Sequence, residues 1–201
     1  MIAQDEVINT LTEELRISSV KEDQRLKWLG GIFLYHVNRD RFTDIESGVD
    51  NAFSAPTPEI ANQYPYSTID EVDQTQSGFS VFGNATLQLT DALQLTAGIR
   101  YEREQFSSDI NKFFRQGENS NFIFPDLGLI PVSSDQTATF SGVSPKFGVA
   151  LDLNDQTMLW GNIARGYRPG GINPFTTDVD IAVYDEESSW NYEIGIKSTF
   201  L

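Results

Sequence analysis

An alternating hairpin at residues 141–167 limits most strongly what this chain can fold into. The apolar residues of its first arm share one parity: Val143, Phe147, Val149, Leu151 and Leu153. This period of two predicts a β-strand with one apolar and one polar face. Asn154, Asp155 and Gln156 supply a tight turn before a second arm of similar length. Strands of about 10 to 14 residues exceed the usual five or six, and such strands are typical of membrane β-barrels.

The same alternation recurs along the chain and predicts about seven strands. They cover residues 11–20, 25–39, 79–89, 93–102, the two arms of the hairpin, and 188–201. Short turns, the first at residues 21–23, alternate with long irregular segments at residues 40–75, 107–137 and 169–187. Short turns on one rim and long loops on the other are typical of outer-membrane barrels. We therefore predict an all-β fold: an antiparallel up-and-down transmembrane β-barrel, present in part as one curved open sheet with long extracellular loops.

The second predicted strand leaves its orientation open. Trp28, Ile32 and Leu34 form one apolar parity, and the opposite parity is just as apolar through Leu29, Phe33, Tyr35 and Val37. Either set fits the outer face.

Composition excludes several classes of protein. The 201 residues contain no apolar run of the roughly 18 to 20 residues that a transmembrane helix needs. The first residues show no secretory signal, so if the protein belongs in an outer membrane, we expect its beginning to lie further upstream. The absence of cysteine removes disulfides and thiolate chemistry. A net charge of −15 argues against nucleic acid as a partner, because phosphate binding requires a basic surface.

The acidic charge is concentrated in the three long segments. Together they carry about −14 of the net charge, whereas the predicted strands and short turns are almost neutral. Acidic loops joined to nearly neutral strands fit a membrane protein whose loops face water. Solvated loops of any protein show the same trend.

No set of residues indicates catalysis, a metal site or a bound cofactor. His36 is the single histidine and cannot form a histidine-based metal site or a catalytic dyad by itself. The glycine-rich run at residues 165–171 opens no predicted helix, so it does not predict a phosphate-binding loop. We predict that the protein is not an enzyme. Charges of both signs on the inner parity, such as Arg100, Glu102 and Lys146, predict an aqueous or polar interior.

Two segments near the end of the chain resemble a known family. The run SPKFGVALDLNDQTMLWGNIARGYRPGGIN is followed after a loop by YDEESSWNYEIGIKSTFL. This Gly-aromatic-Arg-Pro-Gly-Gly run and the following Trp-x-x-Glu-x-Gly-x-Lys strand resemble the barrel of TonB-dependent outer-membrane receptors. The earlier segments TEELRISSV, LKWLGGIFLYH and LTAGIRYERE are similar to preceding strands of the same barrel.

The resemblance implies that residues 1–201 are one partial barrel domain of such a receptor. A complete member has a signal peptide, a TonB-contacting segment, a plug domain and about 22 strands, so we expect this sequence to be a fragment without those parts. The implied function is energised uptake of a bulky nutrient, a ferric siderophore first among them. The implied location is the outer membrane of a Gram-negative bacterium, with membrane lipid, TonB and the siderophore-type ligand as partners. Tyr167, Arg168 and Asn173 are candidate ligand contacts at the base of a loop.

The sequence allows two other interpretations: a soluble β-rich binding module, and a small complete outer-membrane barrel with a structural or adhesive role. The exposure of the apolar parity separates them. The hypothesis of a membrane barrel predicts that these residues form one convex exposed band on a single sheet. The hypothesis of a soluble module predicts that the same residues are buried under a second layer. The band consists of Phe79, Val81, Leu87, Leu95, Ile99, Phe147, Val149, Ile194 and Ile196.

Overall fold

The structure, a computed structural model, describes residues 1–20, 24–48, 50, 58–119, 122–125, 129–174, 176 and 178–199. Strands dominate it, and the elements in chain order are β1 (Ile2–Ser18), β2 (Leu26–Ser47), α1 (Pro58–Ala61), β3 (Tyr66–Gln88), β4 (Leu93–Arg115), β5 (Val132–Asn154), β6 (Thr157–Arg168), β7 (Gly171–Ile172), α2 (Val179–Ala182), β8 (Val183–Tyr184) and β9 (Glu187–Ser198). Within the described ranges, neither helix has the length and apolar character needed to cross a membrane.

Seven strands form a single antiparallel sheet in the order β1-β2-β3-β4-β5-β6-β9. Each strand pairs with its neighbour in the sequence, apart from the small β7–β8 pair inserted between β6 and β9. The sheet is open, since β1 and β9 are its two edges in the described part of the chain. This confirms the predicted partial up-and-down barrel. The single layer does not fit a soluble sandwich, and the open sheet does not fit a small closed barrel.

The central strands are longer than the sequence predicted. β3, β4 and β5 each contain 23 residues. The predicted irregular segments at 40–75 and 107–137 are therefore wrong in extent, because β2 continues to Ser47 and β3 begins at Tyr66, and because β4 continues to Arg115 and β5 begins at Val132. The outer halves of these strands carry polar residues on both faces, so hydrophobic alternation does not reveal them.

Two of the three predicted short turns lie where the sequence placed them. The Thr90 hydroxyl accepts hydrogen bonds from the backbone N–H groups of Ala92 and Leu93, at 3.3 and 3.0 Å, between β3 and β4. The Asn154 side chain accepts one from the N–H of Gln156 at 2.9 Å between β5 and β6. The predicted turn at residues 21–23 lies outside the described residues.

The outer face of the sheet is apolar and exposed, as the hypothesis of a membrane barrel predicts. Eight of the nine residues of the predicted band are exposed large hydrophobics, and Leu95 is half-buried. The structure also resolves the orientation of β2: Trp28, Ile32 and Leu34 are exposed, and Leu34 lies opposite Phe79 of the band. Leu29, Phe33 and Tyr35 share the inner parity and are half-buried.

The predicted third loop, residues 169–187, contains folded structure. β7 and β8 form a two-residue ladder with the α2 turn between them. The Asp178 carboxylate caps that turn by accepting a hydrogen bond from the N–H of Asp180 at 3.0 Å. This small hairpin positions residues of the loop over the inner face of the sheet.

Candidate functional site

The candidate site is a cluster on the inner face, where three adjacent strands align Tyr35, Gly78 and Glu104. Tyr35 of β2 lies opposite Gly78 of β3, which lies opposite Glu104 of β4. Alternate residues of a strand point to opposite faces, so these three positions share the inner face with Gln76. The continuous pairing of β2, β3 and β4 therefore brings polar side chains from three strands into one cluster.

The cluster is closed by hydrogen bonds. The Tyr35 hydroxyl donates to the Glu104 carboxylate. The Gln76 side-chain amide donates to the Tyr35 hydroxyl at 2.9 Å and to Glu104 Oε2 at 3.1 Å. Glu104 is only 8% exposed, and these two donors stabilise its carboxylate away from bulk water.

Two glycines provide the space for aromatic rings at this level. A Cβ atom at Gly78 would overlap the Tyr35 ring, and a Cβ atom at Gly142 would overlap the Tyr167 ring. Gly142 faces Glu102 in the register of β4 and β5. Both rings therefore lie against the backbone of the sheet, in the space that a side chain at each glycine would fill.

The β7–β8 hairpin covers the cluster from the outer end. A Cβ atom at Gly170 would overlap Phe140, and one at Gly171 would overlap the Tyr184 ring. Phe140 in turn packs edge-on against Phe106, with ring centroids 5.8 Å apart and an interplanar angle of 72°. Between the hairpin and the sheet lies a cavity of about 210 Å³, whose lining includes Val37, Arg39, Gln74, Gln76, Phe106 and Tyr184.

The loop between β4 and β5 closes the outer end further. Phe114, Phe122 and Leu129 form a buried apolar cluster, with Tyr66 and Phe124 packed against it. The backbone N–H of Phe122 donates to the carbonyl of Phe114 at 3.1 Å, which folds the loop back onto its own strand. Two inserted segments thus fold over the inner face above the Tyr35 cluster.

The charged groups around the cluster are mostly paired. Arg100 Nε lies 2.8 Å from Glu102 Oε2, and its guanidinium lies 5.8 Å from the centre of the Phe82 ring. Arg41 donates to the carbonyl of Pro174 at 3.4 Å, which ties β2 to the segment after β7. In the described ranges, no group of three or more acidic or imidazole side chains is arranged to hold a metal ion.

The three residues predicted as ligand contacts occupy different environments. Tyr167 is half-buried on Gly142, and its hydroxyl is buried and makes no hydrogen bond within the described residues. Arg168 is exposed and lies 3.6 Å from Glu187 across β6 and β9. Asn173 follows β7, and its N–H donates to the carbonyl of Ala182 at 2.7 Å. Of the three, Tyr167 lies beside the cluster, with its ring over Gly142, which faces Glu102 in the register, and ligand binding by all three stays a prediction.

The residues that sequence reasoning missed are Tyr35 and Gln76. Tyr35 belonged to the parity of β2 whose orientation the sequence left open, and Gln76 lay between the predicted irregular segment at residues 40–75 and the predicted strand at residues 79–89. His36, next to Tyr35, lies on the outer face, where its Nδ1 is 2.8 Å from the Ser77 hydroxyl.

Comparison with known proteins agrees with this architecture. A family described as TonB dependent receptor-like, beta-barrel, matches residues 9–201. The pesticin receptor of Yersinia enterocolitica is 22% identical over 190 residues, which are 94% of this chain and 24% of that protein. The pesticin receptor of Yersinia pestis is 21% identical over the same share of each chain. The chain thus spans about a quarter of the length of the curated relatives it matches.

Two solved structures share the fold. The ferric yersiniabactin uptake receptor of Yersinia pestis superposes with a TM-score of 0.75 at 17% identity, covering 99% of this chain and 27% of that one. The siderophore receptor of Acinetobacter baumannii superposes with a TM-score of 0.62 at 16% identity, covering 98% of this chain and 30% of that one.

Proposed function

This chain belongs to the family of TonB-dependent receptor β-barrels, and from that premise we propose that residues 1–201 are one part of a barrel domain that takes up a ferric siderophore. Proteins of this family are receptors of the outer membrane of Gram-negative bacteria rather than enzymes. We place this chain in that membrane, with lipid against its outer face and TonB as the source of energy for uptake.

The observation that carries the proposal is the opposite character of the two faces of one sheet. The outer face exposes a continuous apolar band, including Val81, Ile99 and Phe147. The inner face presents the Tyr35, Gln76 and Glu104 hydrogen bonds and the pair of Arg100 and Glu102. Such a sheet is stable with hydrocarbon on one side and a polar interior on the other.

The ligand class is supported by the chemistry of the cavity under the β7–β8 hairpin. Phe106 and Tyr184 provide aromatic walls, and the Arg39 guanidinium provides hydrogen-bond donors. A bulky ligand that combines ring systems with oxygen acceptors suits this mixture. The fold likeness to a ferric yersiniabactin receptor and to a second siderophore receptor supports the same class. Tyr167, Arg168 and Asn173 remain our candidate contacts, and release would follow a TonB-dependent shift of a plug domain.

Uptake of a radioactive ferric siderophore tests this function. A strain that lacks the gene should lose the uptake of one ferric siderophore during iron limitation, and the whole gene in trans should restore it. Deletion of tonB in the complemented strain should abolish the restored uptake. Normal uptake of every ferric siderophore tested in the deletion strain would overturn the ligand class, and uptake that persists without TonB would overturn the energised mechanism.

A further inference from the structure

An open groove of about 440 Å³ runs across the outer face from β1 to β4. Its apolar wall consists of Leu11, Leu34 and Phe79, and its polar side includes Ser77 and Arg103. Leu34, Phe79 and Arg103 stand side by side in the register of β2, β3 and β4. The groove therefore joins an apolar surface to a guanidinium on the face that we assign to lipid.

Arg103 marks the upper end of the apolar band on β4. From the short turn outward, the outer parity of β4 reads Leu93, Leu95, Ala97, Ile99, Tyr101 and then Arg103. Ten residues at about 3.4 Å span about 34 Å of strand, or about 26 Å along the membrane normal at a tilt of about 40°. This height matches the apolar band of about 25 Å that outer-membrane barrels present. Arg103 thus lies at the level where acyl chains meet headgroups.

The Arg103 guanidinium has no carboxylate partner in the part of the chain that the structure describes. By contrast, Arg100 on the inner face of the same strand is paired with Glu102 at 2.8 Å. His36 Nδ1 lies 2.8 Å from the Ser77 hydroxyl. Ser77 pairs with Gln105, the outer-face residue that follows Arg103 on β4. Glu13 lies at the far end of the groove, three strands away from Arg103 in the register. The positive end of the groove is therefore on β4, away from the carboxylate on β1.

We propose that this groove binds one outer-leaflet lipid, with Arg103 holding a phosphate of its headgroup and an acyl chain lying along Leu34 and Phe79. The proposal rests on the membrane location given under the proposed function. An exposed guanidinium suits a phosphate because its planar fork donates two parallel hydrogen bonds to the oxygens. The adjoining leucine and phenylalanine face away from the protein, where an acyl chain completes their packing.

Lipid A is the probe for this site, since it combines phosphates with acyl chains. The whole protein that carries residues 1–201, purified in mild detergent, is titrated with lipid A, and bound lipid is counted by native mass spectrometry. Arg103→Gln keeps the length of the side chain and removes its charge, so we expect about tenfold weaker binding. The matched control is Arg25→Gln, an exposed arginine at the opposite end of the sheet, just before β2, which should bind as the unmodified protein does.

Two further arms separate a lipid from a free anion. Leu34→Ala should weaken lipid A binding without affecting inorganic phosphate, and lipid A from which the phosphates have been removed should bind Arg103→Gln and the unmodified protein alike. Equal lipid A binding by Arg103→Gln and the unmodified protein would overturn the proposal. The proposal would also be overturned if millimolar inorganic phosphate displaced lipid A and Leu34→Ala bound lipid A normally, because the site would then bind a free anion. Cell fractionation tests the membrane location separately, so its failure is distinguishable from the failure of this site.

Discussion

Tyr35 on β2 donates its hydroxyl hydrogen bond to Glu104 on β4, although the whole of β3 lies between them. Gly78 is the residue of β3 at the crossing point, and the Tyr35 ring occupies the space that a side chain would fill there. The hydrogen bond therefore depends on an absent side chain as much as on its donor and acceptor.

Gly78→Ala should destabilise the barrel by forcing the Tyr35 ring away from the sheet. We expect a loss of about 1 to 3 kcal/mol, the usual range for an overpacked site. The measurement is urea unfolding of the whole protein in detergent micelles.

Gly83→Ala is the matched control on the same strand. A Cβ atom there meets only the Leu29 carbonyl oxygen, at 3.9 Å, so its stability should stay within about 0.5 kcal/mol of the unmodified protein. The double variant Gly78→Ala with Tyr35→Ala should show a smaller added loss than the two single changes combined, because the clash is removed. Equal stability of Gly78→Ala and Gly83→Ala would show that the ring does not rest on Gly78.

Tyr35→Phe should cost more than Glu104→Gln. The phenylalanine leaves a buried carboxylate with Gln76 as its remaining donor, and we expect a loss of about 1 to 3 kcal/mol. The amide of Glu104→Gln removes the charge and still accepts from Tyr35, so its loss should be smaller. Paired unfolding curves at pH 7 decide the order, and the reverse order would mean that the carboxylate reaches water in solution.

Tyr167→Ala should weaken siderophore binding more than Arg168→Ala does. The Tyr167 ring lies over Gly142 on the inner face, whereas Arg168 makes an exposed ion pair with Glu187. We expect about a tenfold loss of affinity for Tyr167→Ala, in line with the removal of an aromatic contact of about 1.4 kcal/mol. Equilibrium binding of the ferric siderophore to whole cells measures both variants, and Asn173→Ala completes the set. Unchanged affinity in all three would remove these residues from the ligand site.

The sequence was sufficient to predict the parts of the sheet whose apolar face is exposed. Leu93, Leu95 and Ile99 alternate with polar residues because β4 has an apolar outer face and a polar inner face. The same rule fails on the outer half of β3, since Gln74 and Thr75 are polar on both faces, and a strand there looks like a loop. The outer halves of the strands are instead set by backbone pairing with neighbouring strands, which alternation does not reveal.

The candidate site could be predicted only in part, because it depends on register. The pairing of Tyr35, Gly78 and Glu104 joins positions far apart in the sequence, and a shift of one residue would send each to the other face. Tyr167 could be found because it lies in the glycine-rich run that resembles the family. Its contact with Gly142 could not, since that glycine has no feature of its own in the sequence.

Register also aligns four aspartates across four adjacent strands. Each aspartate pairs with the next across neighbouring strands from β2 to β5, and all four are exposed: Asp40, Asp73, Asp109 and Asp135. Like charges that face each other across strands destabilise a sheet. Asp73→Asn should therefore raise the free energy of unfolding by about 0.2 to 1 kcal/mol at low ionic strength.

The gain should shrink in about 1 M salt, where charges more than about 3 Å apart are screened. Asp91→Asn, in the short turn between β3 and β4, is the control, since it has no aspartate opposite it in the register, and it should change stability little. Urea unfolding at two salt concentrations measures both variants. A loss of stability in Asp73→Asn at low salt would show that the Asp73 carboxylate stabilises the sheet, and would contradict repulsion between the aspartates.

Ala97 and Thr96 are neighbours on β4 at one depth and on opposite faces, so a lysine at each position tests which face meets lipid. Ala97 pairs with Ala85 and Phe147 at the middle of the apolar band, whereas the Thr96 hydroxyl lies 3.2 Å from that of Thr86 on the inner face. Ala97→Lys should cost about 2 to 4 kcal/mol, the usual penalty for a lysine on the lipid face near the midplane. Thr96→Lys should cost much less, because its ammonium enters a polar interior. Folding of the whole protein into phospholipid vesicles measures both, and an equal or reversed penalty would contradict the assignment of the outer face to the membrane.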